Sequence, residues 1–363
     1  MIVLGYEFQT GPRRYFFFER CGAVNTKVTI RDVAAKAGVS ISSVHFALSG
    51  KAGVSDETRE KIRRTAEEMG YQPNTLASSL KRSTQRIAIL LPSDAGDNKY
   101  YYQPMWRGVH DYLSKLNANV ECIELPYYES DKNEVFAKLK QLVMERRIDG
   151  ILTVGHVDGF SAAQDWQDIH DRDISVVSIN SENKLCDSLC CIQPEYDVIG
   201  RTMAELIIDR IPEFGSIFLC AGNPKWDAHS LIVKGFDDYL AENRCPNLVY
   251  KDYSYSINRQ NYLNIFNKLT RPDVAACCSV YSQGTVMLGQ ALEESKKAGK
   301  VYAVGSDLPD VTAKRLRRSV LNNVIQKNPY AQGYVGIRTL AENLISGKVP
   351  AQKKEFVGSE VVL

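Results

Sequence analysis

The strongest constraint on the fold is an alternation that begins at residue 87. Short apolar, β-branched runs alternate with longer amphipathic stretches, a pattern typical of parallel sheets covered by helices on both faces. The runs predict strands at 87–91, 120–125, 150–154, 175–179, 216–221, 274–280, 301–305 and 319–325. The clearest amphipathic stretches predict helices at 134–147, 196–210, 231–243 and 283–297. About 275 residues suit two such layers better than one, so we predict a two-lobed α/β body.

The region before this alternation has the pattern of three short helices. Thr29 is placed to cap the first, Ser40 begins a second that ends at Leu48, and Ser55 caps a third. Gly38 permits the turn between the first two helices. Helix, glycine turn and helix is the layout that presents a second helix to the DNA major groove. A helical hairpin without any DNA role would show the same bare pattern.

The charge distribution also separates the two regions. Residues 1–86 hold 14 lysines and arginines against 8 aspartates and glutamates, a net charge of +6, whereas the whole chain carries +2. A basic head on a mildly acidic body favours a nucleic-acid partner for the head alone. A chance excess of basic residues on a solvated surface is the alternative explanation.

Several other classes of protein are disfavoured by the sequence. No apolar run approaches the about 20 residues needed to cross a bilayer, and the nine cysteines form no CxxC pair. Phosphate-loop, dinucleotide-binding, GxSxG and HExxH motifs are missing, and the five histidines are scattered without an i, i+4 pair. We therefore predict a cytoplasmic protein with free thiols that is not an enzyme, contacts no membrane and uses no cofactor or metal.

Three ordered segments carry a resemblance to a known family. They are Thr-Ile-Arg-Asp-Val-Ala-Ala-Lys-Ala-Gly-Val-Ser (29–40), Gly-Val-Ser-Asp-Glu-Thr-Arg-Glu-Lys-Ile (53–62) and Gly-Tyr-Gln-Pro-Asn (70–74). With them the chain resembles the lac repressor/galactose repressor family of bacterial transcription regulators, from Val28 to the C-terminus and less closely in the body. The resemblance implies a small all-α helix-turn-helix headpiece and an α/β two-lobed body with parallel sheets, like the periplasmic sugar-binding proteins.

The resemblance also implies partners and domain boundaries. In the family, a homodimer binds a near-palindromic operator in double-stranded DNA, and a small molecule in the cleft between the lobes changes DNA affinity. Four parts are expected: a disordered or artefactual extension (1–26), a helix-turn-helix DNA-binding domain (27–72), a hinge helix and linker (73–86), and a two-lobed effector-binding and dimerisation domain (87–363).

The family's DNA-contacting positions carry over onto the recognition helix and the hinge. They fall on Thr29, Ser40, Ile41, Ser42, Ser43, His45, Phe46, Tyr71, Asn74, Ala77, Leu80 and Lys81. Position 46 is commonly arginine in the family, where its guanidinium can read guanine. Phe46 can make only apolar contacts, so an unusual operator sequence is expected. Leu80 matches a leucine that is wedged between base pairs to kink the duplex; a plain linker is the alternative.

The family's effector-contacting positions are matched less closely. They fall on Tyr101, Tyr102, Asn180, Trp226, His229, Tyr255, Gln283, Asp307 and Gln326. Asp307 matches an aspartate that accepts hydrogen bonds from sugar hydroxyls, and it is expected near water at an open cleft mouth because burying a carboxylate is costly. The alternative is that Asp307 caps the helix that follows it. Ile232 stands where the family has an arginine, and Trp226 or His229 could replace that arginine's contacts.

The resulting prediction is a sequence-specific DNA-binding transcription regulator, expected to be a repressor, that responds to a sugar or sugar derivative. Two alternatives remain open. The body could bind a protein corepressor instead of a small molecule, or it could be a ligand-binding protein or enzyme that carries a vestigial head.

Overall fold

The computed structural model describes the chain in six stretches. They are residue 28 and residues 30–48, 54–69, 84–156, 163–256 and 258–363. The chain divides into two compact units, residues 1–78 and 79–363. The described part of the first unit is entirely helical, and the second unit is α/β. The predicted extension at 1–26 and most of the predicted hinge at 73–86 lie outside the described residues.

The described part of the first unit contains three helices around a small core. They are α1 (Ile30–Ala37), α2 (Ile41–Leu48) and α3 (Asp56–Glu68). The core consists of one small or branched apolar face from each helix, namely Val33, Ala34, Ala37, Val44, Ala47, Ile62 and Ala66. Gly38 has a φ of 67°, which an L side chain rarely adopts, and so allows the tight turn into α2. Ser55 caps α3 by accepting a hydrogen bond from the backbone N of Thr58.

The second unit has two six-stranded sheets, and each sheet is the centre of one lobe. In spatial order, the first lobe holds β11 (Lys354–Phe356), β5 (Cys190–Gln193), β4 (Ser175–Ile179), β3 (Gly150–Val154), β1 (Gln85–Pro92) and β2 (Val120–Tyr127). The second holds β12 (Glu360–Val362), β10 (Asn323–Gln326), β9 (Tyr302–Ser306), β8 (Val274–Ser279), β6 (Ser216–Cys220) and β7 (Val249–Asp252). All neighbouring strands are parallel except β10 and β12. The predicted two-lobed body with parallel sheets is confirmed.

Nine helices cover the sheets in the described part of the second unit. Those of the first lobe are α4 (Lys99–Leu113), α5 (Lys132–Met144), α6 (Ala163–His170) and α12 (Pro329–Ser346). Those of the second are α7 (Tyr196–Ile208), α8 (Asp227–Glu242), α9 (Arg259–Leu269), α10 (Ser282–Glu294) and α11 (Asp310–Arg317). No helix in the described residues is both long and apolar enough to span a bilayer.

The chain passes between the lobes at three places. It crosses from β5 to α7, from β10 to α12, and from β11 to β12. Side chains at residues 194–195, 327–328 and 357–359 therefore lie where the two lobes are joined. We call the region between the two lobes, next to these crossings, the cleft.

The predicted strand at 319–325 begins later than expected. Ser319 has a φ of 56° and ends the helix before it, and the backbone N of Val320 donates to the carbonyl of Arg315. Only Asn323–Gln326 therefore pairs within the sheet. The four strands that the alternation did not predict, β5, β7, β11 and β12, are three or four residues long. Such short runs are easily missed.

Candidate nucleic-acid interface and ligand cleft

Helix α2 presents an apolar side chain to solvent at its first turn. Ile41 is 47% exposed, although it is a large hydrophobic residue. The Oγ of Ser40 accepts a hydrogen bond from the backbone N of Ser43 at 3.0 Å, so Ser40 caps the helix as predicted. A capped N-terminus with an exposed apolar residue is the part of a recognition helix that meets base edges in the major groove.

Helix α3 supports the opposite end of α2. The guanidinium of Arg59 donates to the carbonyl oxygens of Phe46, at 3.1 Å, and Ala47, at 3.2 Å. A cation at a helix C-terminus satisfies free carbonyls and interacts favourably with the helix dipole. The partly exposed Phe46 is thus held on a braced helix. Sequence analysis missed Arg59 because the contact joins positions 13 residues apart across a turn.

The structure describes only some of the other predicted DNA-contacting residues. Ser43 is partly exposed beside Ser40, and Ser42 and His45 belong to α2. Six predicted residues lie outside the described part of the chain: Thr29, Tyr71, Asn74, Ala77, Leu80 and Lys81.

In the second unit, buried hydroxyl and amide groups join the two lobes. The Tyr101 hydroxyl donates to the Oδ1 of Asn180 at 2.9 Å and accepts from the Nε2 of Gln332 at 3.0 Å. The hydroxyl of Tyr196, at the first crossing, also donates to Asn180 Oδ1, at 2.7 Å. Burial raises the pKa of both tyrosines above the ordinary range, so their hydroxyls stay protonated as donors.

Asp307 belongs to this network through a lysine. Its Oδ2 lies 3.1 Å from the Nζ of Lys327 and also accepts from the hydroxyl of Ser282. The Lys327 Nζ donates to the carbonyl oxygen of Val280 at 2.8 Å and lies 5.2 Å from the centre of the Tyr101 ring. The cleft therefore contains a desolvated ion pair whose two members have several further partners.

The expected position of Asp307 at an open, hydrated cleft mouth was wrong. Asp307 is only 2% exposed. Its carboxylate avoids the cost of burial because Lys327 supplies a positive charge. The alternative, in which Asp307 caps the next helix, is also wrong: residue 309 is the N-cap of α11, and it has no side-chain capping bond.

A cluster of aromatic rings also lies between the two lobes. The Trp226 ring stacks on that of His156 with a centroid distance of 4.6 Å and an interplanar angle of 28°. Tyr255 and His229 each lie 5.2 Å from Trp226. His156 follows β3 of the first lobe, whereas Trp226 precedes α8 of the second, so this stack closes the cleft from both sides. Flat rings of this kind can stack on the apolar face of a sugar.

His229 is buried as a neutral ring. Its Nδ1 accepts a hydrogen bond from the backbone N of Asn223 at 2.9 Å. Burial, together with the nearby charge of Lys327, holds the pKa of His229 well below its ordinary value. Gly222, with a φ of 66°, permits this approach, because a Cβ there would lie 2.5 Å from Nδ1. His229 therefore acts as an acceptor here and carries no charge.

The remaining predicted effector residues lie around these groups. Tyr102 is buried and meets Tyr101 edge to face at 5.3 Å. Gln283 is the second residue of α10, next to Ser282, and Gln326 ends β10, next to Lys327. Sequence analysis missed Lys327, Tyr196, Gln332 and His156. Lys327 follows a predicted strand as Asp307 does, and that position was the available signal.

No group of three or more potential metal ligands occurs in the stretches that the structure describes. The chemistry of the cleft is that of hydroxyl, amide, carboxylate and aromatic groups. These groups can bind and orient a polar ligand, and nothing in their arrangement provides an exposed nucleophile with a neighbouring base.

Two family models match the chain. The model for a periplasmic binding protein domain matches residues 87–348, more than half of the chain. The model for bacterial regulatory proteins of the lacI family matches residues 29–74.

Two curated relatives show different extents of similarity. Over 127 residues the chain is 35% identical to the HTH-type transcriptional regulator MalR of Streptococcus pneumoniae serotype 4, a match covering 34% of this chain. The match spans only 38% of the length of MalR. Catabolite control protein A of Staphylococcus xylosus is 22% identical over 321 residues, which covers 87% of this chain and 92% of that protein.

Solved structures resemble the fold. GanP, a glucose-galactose binding protein from Geobacillus stearothermophilus, has a TM-score of 0.66 at 18% identity and covers 77% of this chain and 98% of its own. The lac repressor dimer bound to operator and the anti-inducer ONPF has a TM-score of 0.61 at 18% identity, covering 93% of this chain and 98% of its own. At these identities the likeness shows the fold.

Proposed function

Because the chain belongs to the periplasmic binding protein domain family and carries a DNA-binding domain of the lacI family ahead of it, we propose that it is a sequence-specific transcription regulator, a repressor, controlled by a sugar or sugar derivative. The observation that carries the proposal is the interlobe site. There, hydroxyl, amide and carboxylate groups lie beside a cluster of aromatic rings, which is the chemistry that binds polyols.

The DNA-binding part of the proposal rests on the first unit. A capped α2 with the exposed Ile41 reads base edges, and Arg59 holds the far end of that helix in place. Two such heads in a homodimer would bind a near-palindromic operator, as the two-fold symmetry of a dimer requires. The lac repressor dimer bound to operator supports this arrangement for a protein of the same fold.

The effector part rests on the cleft. A sugar ring has apolar faces that stack on Trp226 or Tyr255, and hydroxyls that bind amide and carboxylate groups such as those of Asn180 and Asp307. A neutral polyol suits the site because the buried charges of Asp307 and Lys327 already balance each other. The glucose-galactose binding protein GanP supports a sugar as the ligand of this fold.

The proposed function has two separable tests. Selection from randomised duplexes with the full chain is expected to return a near-palindromic site that the chain binds in gel-shift assays. Thermal-shift screening of neutral sugars is expected to find one that raises Tm and changes operator affinity. Trp226→Ala is expected to abolish that shift, whereas Trp166→Phe, in the core of the first lobe, retains it. If no DNA sequence is selected, the proposal that the chain is a DNA-binding regulator is wrong. If no sugar raises Tm, the proposal that the effector is a sugar is wrong.

One observation favours a second candidate. The polar groups expected to hold an effector are already bonded to groups of the chain itself, as the Asp307–Lys327 pair shows. A body that takes a protein corepressor instead of a sugar would also have a filled cleft. On either candidate the chain is a cytoplasmic regulator without enzymatic activity.

A further inference from the structure

We propose that Lys327 is a built-in occupant of the cleft. Its ammonium group holds the two lobes together before any effector arrives, and an effector must displace it from Asp307. The first half of this proposal concerns the ligand-free chain alone, and only the second half rests on the proposed function.

The second lobe holds the ammonium group through two contacts and supports the carboxylate that makes one of them. The Oδ2 of Asp307, after β9, is 3.1 Å away, and the carbonyl oxygen of Val280, after β8, accepts a hydrogen bond at 2.8 Å. The hydroxyl of Ser282 donates to the same Oδ2. The backbone N of Lys327 donates to Asp307 Oδ1 at 3.3 Å. Both oxygens of the carboxylate are thereby occupied by the chain.

The first lobe holds the same residue from the other side. The Tyr101 ring of α4 lies 5.2 Å from Nζ, within the range of a cation–π interaction. The Nε2 of Gln332, on α12, donates to the backbone carbonyl of Lys327 at 2.9 Å and to the Tyr101 hydroxyl at 3.0 Å. One lysine thus contacts a carboxylate of the second lobe and an aromatic ring of the first.

The position of Lys327 in the chain makes these contacts a tether. Residues 327–328 form the crossing from β10 of the second lobe to α12 of the first. Lys327 is 4% exposed and Asp307 is 2% exposed, so water does not screen their attraction as it does at a surface. Separation of the lobes would pull the Tyr101 ring away from the ammonium group and let water reach both charges.

Another charged contact across the cleft is weaker by comparison. The Nζ of Lys184, in the first lobe, lies 3.1 Å from Asp227 in the second, but the lysine side chain is 74% exposed. Exposed ion pairs of this kind contribute little. Of these two charged contacts the buried lysine is therefore the stronger, and the His156–Trp226 stack reports whether the cleft is closed.

The chain contains its own reporter of closure. It has three tryptophans, of which Trp106 and Trp166 are 3% and 4% exposed, so the partly exposed Trp226 is the one that a quencher in solution reaches first. Acrylamide is uncharged, so the loss of a lysine charge does not itself attract or repel the quencher, and a change in quenching reports a change in the exposure of Trp226. We would measure acrylamide quenching of the full chain without effector, as wild type and as Lys327→Met.

Lys327→Met is expected to raise the Stern–Volmer constant at least twofold, because the lobes separate and His156 leaves the Trp226 ring. Lys225→Met is the matched control. It removes an exposed lysine next to Trp226, and its Stern–Volmer constant is expected to equal that of wild type. Trp226→Phe, introduced into wild type and into Lys327→Met, is expected to remove the part of the fluorescence that acrylamide quenches most readily. Unchanged quenching in a folded Lys327→Met chain would overturn the proposal.

A second variant covers the case in which Lys327→Met does not fold because Asp307 is left unpaired. Lys327→Met combined with Asp307→Asn removes both charges, which leaves no unpaired charge in the core. If Lys327 is a tether, this double variant folds with its lobes apart, and its Stern–Volmer constant is raised at least twofold over wild type. If the pair is only structural, the double variant folds, remains closed, and overturns the proposal.

The displacement step is tested once a sugar is identified. The double variant keeps an acceptor at position 307 and has no lysine to displace, so it is expected to bind that sugar at least threefold more tightly than wild type. Weaker binding would overturn displacement while leaving the tether supported by the quenching data. If no sugar binds any variant, the effector proposal fails, and the quenching result still decides the tether.

Discussion

The hydroxyl of Tyr196 lies within hydrogen-bonding distance of two acceptors of Asn180, the backbone carbonyl at 2.5 Å and Oδ1 at 2.7 Å, and shares its one proton between them. Tyr196 is the first residue of α7 in the second lobe, and Asn180 follows β4 of the first. Asn180 has a φ of 68°, a left-handed conformation that asparagine adopts more readily than most residues. One hydroxyl therefore fixes both the turn after β4 and the first crossing between the lobes.

Removing this hydroxyl is expected to destabilise the body. Tyr196→Phe leaves buried acceptors of Asn180 with fewer partners, and we expect a loss of about 1–3 kcal/mol in the free energy of unfolding. Urea unfolding followed by circular dichroism measures it. Tyr253→Phe, which removes an exposed hydroxyl, is the control and should leave stability unchanged. Equal stability of the two variants would show that water replaces the Tyr196 hydroxyl.

Asp307→Asn is expected to destabilise the chain whether or not an effector is present. The substitution leaves the Lys327 ammonium buried without its carboxylate, and breaking such a pair from one side costs about 3–5 kcal/mol. Asp94→Asn, at an exposed position, is the control. A thermal melt measures both. An Asp307→Asn chain as stable as wild type would indicate that the carboxylate faces water after all.

Stability is expected to fall below about pH 6.5 because of His229. Its folded-state pKa is lowered by burial, so at lower pH the unfolded chain binds a proton that the folded chain does not. The contribution of the neutral His229 ring to the free energy of unfolding is therefore complete above about pH 6.5. Below that pH it decreases by up to about 1.4 kcal/mol per pH unit.

Denaturant unfolding between pH 7.5 and 5 tests this dependence on His229. His229→Asn retains an acceptor for the backbone N of Asn223 and cannot titrate, so its stability should vary less with pH. His170→Asn removes an exposed ring and should vary as wild type does. If all three chains show the same pH dependence, other groups are responsible for it.

Phe46 is expected to determine part of the operator sequence. Phe46→Arg supplies two donors for guanine and should raise the preference for a G·C pair at one position in each half-site, by about 1–3 kcal/mol. Selection from randomised duplexes measures the preference. Identical selected sequences for both proteins would place residue 46 away from the bases.

Arg59 is expected to affect affinity without affecting sequence preference. Arg59→Met removes the donors to the carbonyls of Phe46 and Ala47, at a cost of about 1 kcal/mol to the head. Operator affinity should fall by a similar factor on every sequence tested. Arg63→Met, on the exposed face of the same helix, controls for the loss of charge. A changed selection result for Arg59→Met alone would mean that Arg59 contacts a base.

The head and the strands could be predicted because their signals are local. Ser40 and Ser55 are recognisable as helix caps from their neighbours alone, and a run such as Gly150–Val154 is a buried strand of the length expected. Both follow from periodicity and capping rules that operate over a few residues. The contact from Arg59 to α2 follows no such rule.

The interior of the cleft could not be predicted in the same way. Asp307 was recognised by its position after a strand, but its partner Lys327 follows the neighbouring strand β10, 20 residues on. Whether a carboxylate faces water or a lysine depends on which side chain the neighbouring strand brings beside it. That is a property of tertiary packing, which no short stretch of sequence encodes.

The two edge strands β11 and β12 have a consequence for synthesis on the ribosome. Residues 354–356 complete the first sheet and residues 360–362 complete the second, although most strands of the first sheet lie before residue 194. Helix α12, which packs on that first sheet, also emerges only after all of the second lobe except β12. The first unit, residues 1–78, is therefore synthesised before either sheet has all of its strands. Neither sheet can gain its last strand until residues 354–362 have left the exit tunnel.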